Sequence, residues 1–123
     1  MTYLKLNDIS TYKKSYFLSN YVWNIVLKWD NFSRNTIGSQ FTRAIDSISS
    51  NIAEGFGRYF VKDKVNFYRF SRGSVMESLD WNEKAYKRKL LTKEEYQYIL
   101  KELQNLPMEI NQLIRYTKSK LKE

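Results

Sequence analysis

The sequence predicts an all-α fold, a single domain over residues 1–123 that forms an up-down-up-down antiparallel four-helix bundle. Apolar residues recur at the helical period through four long stretches. One proline and four glycines in 123 residues leave little material for the turns of a many-stranded sheet. Hydrophobic residues make up 42% of the chain, which favours a packed core over disorder. Because the connectors are short, neighbouring helices are expected to pack antiparallel.

The first helix is predicted from about residue 10 to residue 28, and the second from about residue 36 to residue 58. Ser33 or Thr36 is expected to cap the start of the second helix. The predicted core face of the first helix carries Ile9, Tyr12, Tyr16, Trp23, Val26 and Leu27. That of the second carries Phe41, Ile45, Ile48, Ile52 and Phe56.

The third helix is predicted over about residues 62–90, and the fourth begins after Thr92. Thr92 with Glu95 three residues on fits a capping box. Pro107 lies inside the fourth helix and lacks the amide that would bond Leu103, which predicts a kink. The predicted core face of the third helix carries Phe67, Phe70, Ser74, Trp81 and Ala85. That of the fourth carries Tyr96, Ile99, Leu103, Leu106, Ile110, Leu113 and Ile114.

Glycines interrupt the second and third helices, where each costs about 1 kcal/mol relative to alanine. Gly38 and Gly55 fall at or beside the apolar stripe of the second helix. We expect a neighbouring helix to approach closely at both positions. Gly73, in the middle of the third helix, either marks another close approach or simply lowers helix stability.

The face of the second helix opposite its apolar stripe carries short polar side chains. Exposed helix faces more often carry Lys and Glu four residues apart. Short side chains on this face therefore predict an interface with another subunit, in which Glu54 accepts hydrogen bonds from Arg43 or Arg58 of a neighbour. The alternative is an ordinary exposed face with a chance run of serines. The predicted interface residues are Arg43, Ser47, Ser50, Asn51 and Glu54.

The composition argues against an enzyme. The chain contains no cysteine and no histidine, which removes thiol nucleophiles, the Ser-His and Cys-His pairs and the commonest metal ligand. No G-x-S-x-G motif or complete glycine-rich phosphate loop occurs. Glu54 and Glu77 could face each other across two helices, but without histidine the ligand set is incomplete. We therefore expect no catalytic residue, no metal site and no cofactor.

The sequence predicts neither a secretory signal nor a membrane span. The stretch MTYLKLNDIS lacks the continuous apolar region of a secretory signal. No apolar run reaches the roughly 18–20 residues needed to span a bilayer. We expect a cytoplasmic protein without a membrane partner.

The charge balance points to a polyanion. Lys and Arg number 21 against 13 Asp and Glu, a net charge of +8. Aromatic residues such as Tyr59, Phe60 and Tyr68 lie among the cations, which suits phosphate contacts with base stacking. The alternatives are a solvated basic surface, or an acidic protein partner. A further basic cluster near the C-terminus contains Arg115, Lys118, Lys120 and Lys122. The predicted nucleic-acid-binding residues are Arg58, Lys62, Lys64, Arg69, Arg72, Lys87, Arg88 and Lys89.

The stretch RAIDSISSNIAEGFGR resembles the signature of the four-helix-bundle family encoded by intervening sequences of bacterial 23S ribosomal RNA genes. YRFSRGSVMESL is similar to a second family segment, with Gly73, Ser74 and Glu77, and LLTKEEYQYI to the acidic start of its fourth helix. Ser49 stands where relatives commonly carry proline. The matching residues of the signature are Arg43, Ala44, Ser47, Ile48, Ser50, Asn51, Ile52, Ala53, Glu54, Gly55, Gly57 and Arg58.

The resemblance implies a ring-like homo-oligomer, often a pentamer, with a ribosome- or RNA-associated role. A related branch, the accessory proteins of diversity-generating retroelements, binds a reverse transcriptase and nucleic acid. We therefore expect a non-catalytic oligomeric protein that binds ribosomal or other structured RNA. The alternative is a protein-interaction scaffold for an acidic partner or a reverse-transcriptase-like protein.

Overall fold

The computed structural model describes residues 5–120. Residues 1–4, part of the stretch used for the signal-peptide prediction, and residues 121–123, with Lys122 of the C-terminal basic cluster, lie outside the described range. A 3₁₀ turn, Leu6–Asp8, precedes the first long helix. No strand occurs between residues 5 and 120, so this part of the chain is all-helical. The long helices are α1 (Ser10–Val26), α2 (residues 31–57, in three parts), α3 (Val61–Lys87) and α4 (Lys93–Lys120).

Helix α2 has three parts: an α-helical turn (Asn31–Ser33), a π-helical turn (Arg34–Gly38) and a regular α-helix (Ser39–Gly57). Its cap is Asp30, whose carboxylate accepts a hydrogen bond from the Ser33 amide at 3.2 Å. The prediction of Ser33 or Thr36 as the cap was wrong, because the helix begins about five residues earlier than expected. The Thr36 hydroxyl instead donates to the Phe32 carbonyl at 2.7 Å, inside the helix.

The capping box at the start of α4 is confirmed. The Glu95 amide donates to Thr92 Oγ1 at 3.1 Å, and the Thr92 amide donates to Glu95 Oε1 at 2.9 Å. Helix α4 runs without interruption through Pro107, and the kink at this residue stays a prediction.

The four long helices contact one another in cyclic order: α1 with α2, α2 with α3, α3 with α4, and α4 with α1. Residues late in one helix contact residues early in the next. A Cβ on Gly38, early in α2, would lie 2.8 Å from Val26 at the end of α1. The Asn82 side chain, late in α3, donates to the Tyr96 carbonyl near the start of α4 at 3.2 Å.

The predicted core faces of α2 and α4 are confirmed. Phe41, Ile45, Ile48 and Ile52 of α2 are fully buried, and Phe56 packs against the core from a half-buried position. In α4, Tyr96 and Leu113 are half-buried against the core. The buried residues of its stripe are Ile99, Leu103, Leu106, Ile110 and Ile114.

The predicted core face of α1 was wrong at three of its six residues. Tyr16, Trp23 and Leu27 are about half exposed, whereas Leu18 and Val22 are buried. Aromatic residues surround much of this helix, so its apolar pattern does not distinguish one face. Among the predicted residues, Ile9 and Val26 are buried and Tyr12 is half-buried.

The predicted core face of α3 is confirmed only at Ala85, which is buried, and at Trp81, which packs against the core from a half-buried position. Phe70 is 57% exposed, and Phe67, Ser74 and Trp81 are half-buried. The core side of α3 is instead rich in small and polar residues, which a hydrophobicity pattern does not identify. Its buried residues are Val65, Tyr68, Ser71, Val75, Ser78, Asn82 and Ala85.

Gly55 allows α2 and α3 to approach closely, as predicted. A Cβ at Gly55 would lie 2.8 Å from the Tyr68 ring and 3.0 Å from the Lys64 carbonyl oxygen, closer than real Cβ atoms pack. Gly38 serves the same purpose against α1, where its Cβ would meet Val26. A Cβ added to Gly73 would have no atom within 4 Å among the described residues. No close approach within the described chain therefore explains Gly73.

Gly55→Ala and Gly73→Ala are expected to change stability in opposite directions. Overpacking at Gly55 costs about 1–3 kcal/mol, which outweighs a helix-propensity gain of at most about 1 kcal/mol. At Gly73 only the gain of about 0.5–1 kcal/mol remains. Urea unfolding at one fixed protein concentration measures both effects. Equal stabilisation by the two substitutions would show that α2 and α3 do not meet at Gly55.

Candidate functional site

The candidate nucleic-acid residues are spread along α3: Arg58, Lys62 and Lys64 lie at its start, Arg69 and Arg72 further along it, and Lys87, Arg88 and Lys89 at its other end. Helix α3 has 27 residues, so its ends are roughly 40 Å apart at 1.5 Å per residue. Beside the turn between α2 and α3, which we call the α2–α3 end, Ile9 before α1 and Thr117 late in α4 line one cavity together with Phe56 and Lys64. The Lys14 ammonium, early in α1, contacts Glu109 in the second half of α4 at 2.6 Å. The α3–α4 end contains the turn between those two helices.

Three cations of the first predicted cluster are exposed at or near the α2–α3 end: Arg58, Lys62 and Arg69. The Arg58 guanidinium lies 3.1 Å from the Glu54 carboxylate and 4.6 Å from the centroid of the Phe67 ring. The turn beside it exposes the Tyr59 side chain, which is 86% accessible. A cation with an exposed ring beside it can contact a phosphate and stack on a base.

Lys64 and Arg72, predicted in the same cluster, have partners within the chain. The Lys64 ammonium donates to the Phe56 carbonyl at 2.7 Å, and its partial burial lowers the pKa of the amine. The Arg72 guanidinium donates to Asn111. These two cations are half-buried and therefore less available to a phosphate than Arg58, Lys62 and Arg69.

Beneath Lys64, a cavity of about 200 Å³ is lined by residues from all four helix ends, including Phe56, Tyr68 and Thr117. Burial raises the pKa of Tyr68 to about 12, partly opposed by a hydrogen bond with Thr117. Tyr68 is only 2% exposed. Although Tyr68 lies among the cations in the sequence, its ring belongs to the core. The ring is therefore not available to stack on a nucleobase.

Lys87, Arg88 and Lys89 are all exposed where α3 ends. The Leu90 amide donates to the Ala85 carbonyl at 2.9 Å, and the Lys89 amide donates to the Tyr86 carbonyl at 3.0 Å. This pair of bonds is the Schellman motif, which places its C′ residue in the left-handed region. That residue is Lys89, with φ of 63°. The motif projects the three cations from the end of the helix.

The predicted interface residues lie together on the outer face of α2, exposed or half-buried. The Ser47 hydroxyl donates to the Arg43 carbonyl at 2.7 Å. The side-chain amide of Asn51 donates to the Ser47 carbonyl at 2.8 Å. Glu54 pairs with Arg58 of its own chain. Because these contacts hold the side chains against the helix, they project little from its surface. Another protein surface could therefore approach this face closely. Ser50, the remaining member, is exposed.

Glu54 and Glu77 have separate partners. The Trp81 indole N–H donates to the Glu77 carboxylate at 3.2 Å, whereas Glu54 binds Arg58. Among residues 5–120, no group of three or more carboxylates is placed to hold a metal ion. None of the helices in the described range is long and apolar enough to cross a membrane.

The sequence analysis missed a surface cavity at the start of α1. It has a volume of about 460 Å³ and is lined by Asn7, Tyr12, Lys13, Tyr16 and Phe17. Tyr12 and Tyr16 were predicted to belong to the core, and no role was predicted for Lys13 and Phe17. The available signal was the placement of Lys13 and Phe17 beside two tyrosines on one helix.

Residues 5–120 therefore form an all-helical unit whose Lys and Arg residues are exposed at the ends of α2 and α3. The family model of the 23S rRNA-intervening sequence protein matches residues 7–112. The chain therefore belongs to the 23S rRNA-intervening sequence protein family.

A solved structure supports the same fold. It is the 1.70 Å crystal structure of a protein of unknown function from the S23 ribosomal protein family of Bacteroides thetaiotaomicron. The similarity covers 85% of this chain and 98% of that one, with 20% identity and a TM-score of 0.75. No curated protein shows significant similarity to the chain.

Lys89→Gly is expected to stabilise the protein, because a side chain in the left-handed region costs about 1–2 kcal/mol that glycine avoids. Lys87→Gly removes the same charge from a residue with helical geometry and is expected to destabilise by up to about 1 kcal/mol. Thermal unfolding of the two variants distinguishes the effects. A lower melting temperature for Lys89→Gly would contradict the Schellman geometry.

Proposed function

We propose that this protein is a non-catalytic homo-oligomer that binds ribosomal or other structured RNA through its exposed cations. One observation carries the proposal: few of the cations are neutralised within the chain. Residues 5–120 contain 20 of the 21 Lys and Arg residues, since Lys122 lies outside. Three of those 20 form ion pairs with a described residue: Lys14, Arg58 and Lys84. A surface with this excess charge attracts polyphosphates.

The proposed subunit is an up-down-up-down antiparallel bundle. Two observations support this arrangement. The long helices contact one another in cyclic order, and residues late in one helix contact residues early in the next. Such a bundle directs the α2–α3 and α3–α4 turns to opposite ends, so a ring of subunits repeats each basic cluster. Repetition increases the avidity of individually weak phosphate contacts.

The proposed oligomer is a ring, with five subunits as the family resemblance implies, and α2 supplies one of its contacting surfaces. Support comes from one face of α2 on which most side chains are short and polar. This face is formed by Arg43, Ser47, Ser50, Asn51 and Glu54. Exposed large apolar side chains elsewhere, such as Phe32 and Phe70, also favour association.

Glu54→Lys is expected to dissociate the oligomer while the helix content stays unchanged. The substitution removes the partner of Arg58 and places two cations together on the proposed interface. Light scattering and far-ultraviolet circular dichroism measure the two properties. Asp80→Lys is the matched control, because Asp80 forms an equivalent ion pair, with Lys84, and its side chain is 54% exposed against 51% for Glu54.

Two results would contradict the proposed interface. One is a monomeric wild-type protein at micromolar concentration. The other is an oligomer that dissociates equally in Asp80→Lys and Glu54→Lys, since that would reflect general charge repulsion.

Replacing Lys87, Arg88 and Lys89 with Gln is expected to weaken binding to structured RNA with little effect on folding. The slope of log affinity against log salt concentration should decrease by about 0.7–0.9 for each phosphate that is no longer bound. Fluorescence anisotropy over a salt series measures both quantities. The control replaces Lys5, Lys28 and Lys101 with Gln, which removes the same charge from separate exposed positions outside the basic clusters. Identical reductions in affinity for the two triple variants would argue against a localised site.

The second candidate function is a protein-interaction scaffold that binds an acidic partner or a reverse-transcriptase-like protein. The exposed apolar side chains favour it, because large rings are common in protein interfaces. Absence of RNA binding by the wild-type protein, even at low salt, would favour this scaffold over the RNA-binding role.

A further inference from the structure

We propose that the cavity at the start of α1 binds an unpaired nucleotide of an RNA. The inference rests on the proposed RNA-binding function and adds to it a specific site and a class of RNA. The site consists of Lys13, Tyr16 and Phe17 with Asn7 and Tyr12. None of these residues belongs to the basic clusters described above.

The first line of support is the uneven distribution of charge between the two ends. The α2–α3 half of the described chain comprises residues 5–18, 44–74 and 107–120. It contains eleven Lys and Arg against five Asp and Glu, a surplus of six. The remaining half, residues 19–43 and 75–106, contains nine against seven, a surplus of two. The field therefore draws a polyanion towards the end where the cavity lies.

The second line of support is the chemistry of the cavity wall. The rings of Tyr12 and Tyr16 have centroids 6.0 Å apart, and the Phe17 ring lies 6.0 Å from Tyr16 in an edge-on arrangement. Tyr16 is 49% and Phe17 66% exposed, so both side chains remain accessible to solvent. Nucleobases stack on exposed rings of this kind. The volume of about 460 Å³ falls within the usual range for small-ligand sites.

The third line of support is that two polar side chains, Asn7 and Lys13, line the cavity. Lys13 is exposed, and no ion pair between described residues involves its ammonium group. Lys14 differs, because its ammonium binds Glu109 and this contact raises the pKa of the amine. Lys13 can therefore meet a phosphate directly, and the Asn7 amide offers both a donor and an acceptor for a base edge.

These features favour unpaired over double-stranded RNA. In a duplex the base faces are stacked on one another and cannot reach an aromatic side chain. A cavity that offers rings in addition to a cation gains affinity only when a base is free to enter. An electrostatic contact alone gives no preference for the unpaired form, since a duplex carries the higher charge density.

The test compares a single-stranded RNA of about ten nucleotides with the duplex of the same sequence, using fluorescence anisotropy. Phe17→Ala is expected to weaken single-strand binding by about 5- to 150-fold, the range that corresponds to the stacking of one base on an aromatic ring. Duplex binding should stay unchanged. Phe17→Trp should retain single-strand affinity, since it preserves a stacking ring. Lys13→Gln should flatten the salt dependence for the single strand by about 0.7.

The matched control is Trp23→Ala. Trp23 lies on the same helix and is 51% exposed, but it belongs to the other half and does not line this cavity. We expect it to leave single-strand affinity unchanged. Circular dichroism and light scattering of each variant report the fold and the assembly.

The outcomes separate this inference from the proposed function. Wild-type binding to RNA with equal affinities for Phe17→Ala and wild type would overturn the nucleotide site and leave the RNA-binding role intact. Equal reductions in affinity for single strand and duplex would also overturn it. Dissociation of the oligomer by Phe17→Ala would identify the cavity as a subunit contact instead. Absence of wild-type binding to either RNA would overturn the proposed function, and the nucleotide site with it.

Discussion

The close contact between α2 and α3 at Gly55 governs how the helical unit packs. With no Cβ there, the Tyr68 ring packs directly against the α2 backbone and remains buried. Further along the same contact, the buried Ser71 hydroxyl donates to the Ile48 carbonyl at 2.7 Å. A glycine and a serine thus hold the two helices at short range. The helix-propensity cost of glycine is offset by packing, because interiors gain energy from dense contact.

This contact determines which side chains reach the surface. Since α3 uses Ser71, Ser78 and Asn82 on its core side, its larger rings at positions such as Phe70 lie outside. Helix α1 follows the same arrangement, with Thr11 and Ser15 buried and Phe17 exposed. In both helices the buried face mixes small polar residues with apolar ones such as Leu18 and Val75, while several large rings lie outside it. The result is a helical unit with an unusual number of rings available to a partner.

Charge and aromatic exposure coincide at the α2–α3 end. The turn there exposes Tyr59 and Phe60 beside Arg58 and Lys62, and the start of α1 adds the cavity next to Lys13. The opposite end projects a compact cationic turn, fixed by the Schellman motif at Lys89. Both ends therefore combine charge with rings, since at the second end Arg88 lines a cavity together with Phe32 and Trp81. An RNA with both folded and unpaired regions would match such a surface.

The amino-acid pattern alone predicts the four helices, the Thr92 capping box and the core faces of α2 and α4, because local bonds and a clear apolar period specify them. The family signature is likewise readable from the residues around Gly55. The packed structure was needed to identify the core faces of α1 and α3, where rings occur on several sides and small polar residues face the interior. It was also needed to show that Lys64 and Arg72 are bound within the chain, and that Lys13 and Phe17 share a cavity. The difference arises because burial depends on how closely neighbouring helices approach, which the hydrophobicity of a single helix does not encode.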